Sequence, residues 1–95
     1  MDFEEFRKSL KQNHSPQGLG DPLKALWWDG KGNWKKAHEI AQDVSNADGA
    51  WVHAYLHRKE GDEGNAQYWY RQAGRPRHSG SFAKEWEDMV RELLN

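Results

Sequence analysis

The sequence predicts an all-α domain of about six short helices, and three observations carry that reading. Apolar residues recur at helical spacing, and no run alternates in the β-branched style of a strand. Periodic segments open on capping residues, and glycine or proline follows four of them. Aliphatic residues are sparse, but six Trp and three Tyr supply the core surface they lack. At 95 residues the chain has room for one domain, taken as 1–95, with a repeat-like core over 22–76.

The first helix is expected over about 2–13, where Asp2 and Glu5 form a capping box and Phe3, Phe6 and Leu10 share a face. Turn formers fill 14–20. Asp21 then caps a short helix with Pro22 at its first position, running to about Asp29. Gly30-Lys31-Gly32 ends it, and Asn33 caps a third helix that carries Trp34, Ala37, Ala41 and Val44 to about 43–45. A fourth opens at Asp48-Gly49, shows Trp51, Val52, Tyr55 and Leu56, and stops at Gly61. Asp62 caps a fifth with Ala66, Trp69, Tyr70 and Ala73, which Gly74 and Pro76 terminate. After the basic loop 75–80, Ser81 caps a sixth helix with Phe82, Trp86, Met89, Val90 and Leu93 on one side. That face either closes the end of the domain or pairs with a second copy as a homodimer.

An internal correspondence links the second and third helices to the fourth and fifth. Moving from position 25 to position 54, an offset of 29, sets Ala25 against Ala54, Gly32 against Gly61, Asn33 against Asp62 and Ala37 against Ala66. Each copy is a helix, a tight Gly-Asn or Gly-Asp turn, and a helix whose small residue admits close backbone approach. These residues resemble the tetratricopeptide family and its shorter-repeat relatives, with Gly61-Asp62, Ala66, Tyr70 and Ala73 the better copy. The offset is shorter than the ~34 of that repeat, and Lys24 and His53 stand where the family prefers large apolar residues. The resemblance implies two hairpins flanked by terminal helices, and a non-catalytic module that binds a protein or peptide segment. The stretch 51–62 also looks like a bacterial family of small uncharacterised proteins, which implies no function.

In a tetratricopeptide-like hairpin the first helix faces the groove, which would make Trp51, Tyr55, Arg58 and Lys59 a peptide-binding surface. Aromatics beside cations suit an acidic or C-terminal carboxylate group. The alternative is that Trp51 and Tyr55 are core, with Arg58 and Lys59 solvated or lying along an aromatic face.

His53, His57 and Glu60 fall at i, i+4 and i+7, within about 60° of one another on the fourth helix. With His38 from the preceding helix they form a candidate metal site or acid–base cluster, the basis of an alternative reading of the chain as a His-based or metal-assisted enzyme. No cofactor motif is present, and zinc or a similar divalent ion is the one cofactor this cluster admits. Ala54 follows His53, so the zinc-peptidase pattern, which needs Glu there, is excluded. The alternative is that His57 packs in the slot matched by Trp28 while His53 caps or hydrogen-bonds locally. No serine lies in a nucleophile context, and Gly30-Lys31-Gly32 lacks phosphate-loop spacing.

A net charge of −1 argues against nucleic acid as a general partner, although Arg71, Arg75, Arg77 and His78 form a local basic patch. Zero cysteines fit a cytoplasmic setting, and the N-terminus has neither a basic start nor an apolar run of an export signal. No membrane-spanning stretch is expected.

Overall fold

The computed structural model describes residues 1–95 and contains six helices and no strands: α1 (Phe3–Ser9), α2 (Asp21–Gly30), α3 (Trp34–Gln42), α4 (Ala47–Lys59), α5 (Glu63–Ala73) and α6 (Phe82–Leu94). No helix is long and apolar enough to cross a membrane.

Four expected caps are in place. Asp2 and Glu5 form a reciprocal capping box, and Asn33, Asp62 and Ser81 accept from the backbone N–H groups of Lys36, Asn65 and Lys84. Three boundaries differ from expectation. The first helix stops at Ser9, because Ser9 Oγ donates to the Phe6 carbonyl and accepts from Trp27 Nε1, while Lys31 Nζ takes the carbonyls of Leu10 and Gln12. Further helix would have needed the Phe6 and Leu10 carbonyls as acceptors. The second helix begins one residue early, with Gly20 at the cap position and no side-chain cap. The fourth is capped by Asn46, whose Oδ1 accepts from Gly49 N–H at 2.9 Å, so Asp48 lies inside the first turn.

The α2–α3 and α4–α5 turns correspond bond for bond at the offset of 29. Asn33 N–H reaches the Trp28 carbonyl and Asp62 N–H that of His57, both at 2.9 Å. Gly32 and Gly61 donate to Asp29 and Arg58. These are Schellman turns, and Gly32 and Gly61 sit at φ 84° and 87°, where a side chain is strained. Ala25, Ala37, Ala54 and Ala66 are fully buried, so the matched small residues stand where helices touch.

The central helix is α4, packed against α2, α3, α5 and α6. Phe6, Leu26, Trp27, Val52, Tyr55, Leu56, Met89 and Val90 fill the centre. The face of α6 lies against this core, and Trp86 Nε1 donates to the Leu26 carbonyl at 2.8 Å. Met89 and Val90 are fully buried within the chain, which removes them from any surface for a second copy.

Gly49 is required by close approach, not by its φ. A Cβ built there would lie 2.3 Å from the Val44 carbonyl oxygen and 2.6 Å from Val44 Cβ. Gly49→Ala is expected to cost a net of about 2 kcal/mol, overpacking outweighing the roughly 1 kcal/mol of helix propensity that alanine returns. Urea unfolding of the two proteins at neutral pH reads this directly; an unchanged midpoint would contradict it.

Candidate metal centre

Three imidazoles converge at the seam between the hairpins. His38 comes from the middle of α3, and His53 and His57 come from α4, one turn apart, so the helical rise sets one above the other. The His53 and His57 rings stack at 4.7 Å, and His38 meets both edge-on, at 4.7 and 5.2 Å between centroids. One ring nitrogen from each lies within 4.8 Å of the other two. His38 Nε2 and His53 Nε2 are 3.0 Å apart, against the roughly 3.3 Å expected between two nitrogens on a tetrahedral zinc with bonds of about 2.0–2.1 Å.

Neighbouring side chains hold the rings. Trp34, one turn before His38, stacks on it at 4.9 Å, and its Nε1 donates to the Leu56 carbonyl, tying α3 to α4. Trp69 of α5 stacks on His53 at 4.2 Å. Glu60 meets His57 Nδ1 at 2.7 Å, which orients the ring and leaves Nε2 as the free nitrogen. Glu60 therefore acts behind a ligand, a correction to its expected place as a ligand itself. Asp62, close to the same pair, is engaged as the cap of α5.

The environment disfavours the protonated form of His53 and of His38. Burial, and then the positive charges that His57 and His38 would carry, push His53 down to about 4. Burial and His57 also lower His38, with Glu60 and Glu39 pulling the other way. Metal and proton compete for these nitrogens, so a cluster that resists protonation is suited to a cation that needs no proton.

The second expected surface is not a surface. Trp51 is 8% exposed, with the Arg75 guanidinium 3.9 Å above its ring. Tyr55 is 1% exposed and donates to Asp29 Oδ2 at 2.6 Å. Arg58 is buried, pairing with Glu85 at 2.8 Å, and Lys59 Nζ reaches Asp29 at 3.0 Å. Three of the four are core, and Lys59 is exposed but paired with Asp29, because α4 packs against four other helices. The basic loop is similarly engaged: Arg75 pairs with Glu92, Arg77 with Glu63 and His78 with Asp88.

Sequence reasoning named the three histidines but not Trp34 and Trp69, which hold two of them. The signal for Trp34 was its place four residues before His38. Trp69 could not be paired with His53 without the packing of α5 on α4. The chain matches no family model, no curated protein and no solved structure.

Proposed function

We propose that this protein is a small helical metal-binding domain that holds one divalent transition-metal ion, zinc by preference, on His38, His53 and His57. The observation that carries the reading is the convergence of three imidazole nitrogens from two helices, one ring being fixed from behind by a carboxylate. Nitrogen donors at this spacing suit zinc, and copper and nickel share the preference for imidazole. Because His38 belongs to the first hairpin and the other two to the second, the ion fastens the hairpins together. The tetratricopeptide-like character of those hairpins is retained as an architectural proposal, supported by their matched turns. The peptide-binding role is not, since Trp51, Tyr55 and Arg58 are buried and Lys59 alone is exposed, paired with Asp29.

The test is a zinc titration of the folded wild-type chain, followed by calorimetry and by the ring resonances of each histidine. One ion per chain is expected, with His38, His53 and His57 shifting together and His14 unmoved. Glu60→Gln is expected to weaken binding by about 10–100-fold, the range for losing a group that orients a ligand. Unchanged ring resonances at excess zinc would overturn the reading.

A further inference from the structure

We infer that the ion held here keeps one coordination position open and takes in it a water molecule or a small monodentate anion. This rests on the metal-binding reading above and assigns its ligand class.

The donor count comes first. The chain has no cysteine, and the group of mutually close donors that contains His38 and His53 is completed by His57 alone. Glu60 is bound to His57 Nδ1. Glu39 is the other carboxylate whose charge reaches His38, yet it does not join the three nitrogens within 4.8 Å. Zinc with four protein ligands is closed, whereas three leave a place for solvent or an external ligand.

Access and size come next. His53 is buried, but His38 and His57 are partly exposed, so solvent reaches the cluster from the side of that pair. Trp34 and Trp69 stack on His38 and His53 and wall the rings, which favours a ligand of few atoms. Charge sets its sign. Three neutral imidazoles leave the ion doubly positive, with Glu60 the one carboxylate hydrogen-bonded to a ligand ring, so an anion in the fourth place lowers the cost of a half-buried charge.

Cobalt(II) in place of zinc makes this visible. The cobalt-loaded wild-type protein is expected to show the visible bands of a four-coordinate ion, and sodium azide is expected to shift them, saturating at one azide per cobalt. Glu39→Gln is expected to show the same azide affinity as wild type. A cobalt spectrum that azide leaves unchanged would overturn the open position. A response seen only in Glu39→Gln would do so too, identifying that carboxylate as the fourth ligand. A folded protein with no cobalt spectrum at all would instead overturn the metal-binding reading itself, so the two failures are distinct.

Discussion

Glu85→Ala is expected to lose about 3–5 kcal/mol of folding stability, the cost of removing one partner from a buried ion pair. Domains of this kind have about 5–15 kcal/mol in all, so the variant should be close to unfolded at moderate temperature. Glu85 is 1% exposed and accepts from Arg58 Nη1 at 2.8 Å and from the Tyr70 hydroxyl at 2.5 Å. Without it, the Arg58 charge keeps only the Gly80 carbonyl and the Phe82 ring, and its Nε already has no partner. Tyr70 loses its acceptor as well. Glu85→Gln keeps the volume and one acceptor and is expected to recover part of the loss. The double variant Arg58→Met, Glu85→Met leaves no orphaned charge and is expected to be more stable than Glu85→Ala. Urea midpoints from tryptophan fluorescence order the three; a loss below about 1 kcal/mol in Glu85→Ala would show that the pair is not a structural requirement.

The same pair shows where the sequence was legible and where it was not. Helix ends follow local chemistry, which is why Asp2, Asn33, Asp62 and Ser81 cap as expected and why the Gly32 and Gly61 turns match. The first helix was overextended because its stop comes from Trp27 and Lys31, far along the chain. For α4, periodicity ranks residues around the helix but does not say how many sides are covered. Nine of its residues are buried, Trp51, His53, Tyr55 and Arg58 among them, and the polar ones find partners on other helices: Asp29, Glu85 and His38. A polar residue on a largely enclosed helix looks in sequence like one on a solvated face. His53 and His57 were recognisable as a pair through their i, i+4 spacing, whereas the approach of His38 depends on how α3 lies on α4.

Acid should therefore weaken the metal-free protein well before its carboxylates titrate. His53 is held to about 4 in the folded state, against about 6.5 in the unfolded chain. Above pH 7 neither state binds the proton, and the group contributes no pH dependence. Below 6.5 the unfolded chain takes up a proton that the folded one refuses, so stability falls as pH falls. The slope approaches about 1.4 kcal/mol per pH unit, and the loss levels off near pH 4 at on the order of 3 kcal/mol. His38, lowered by burial, acts in the same direction. The ion-paired carboxylates Glu4, Glu63, Asp88 and Glu92 are lowered in the folded state, so their contribution is lost only below about 4.5, as pH falls toward their folded values. The window between 6.5 and 4.5 thus belongs to the histidines. Urea unfolding across it is expected to give a steep decline for wild type and a flatter one for His53→Gln. Parallel declines would mean that His53 accepts its proton without loss. Zinc at about 100 times its dissociation constant should add about 2.7 kcal/mol at neutral pH. That gain should fall only as the pH approaches 4, where His53 takes up the proton that competes with the ion for its nitrogen. A zinc effect unchanged below pH 4, where His53 is protonated, would show that His53 is not a ligand.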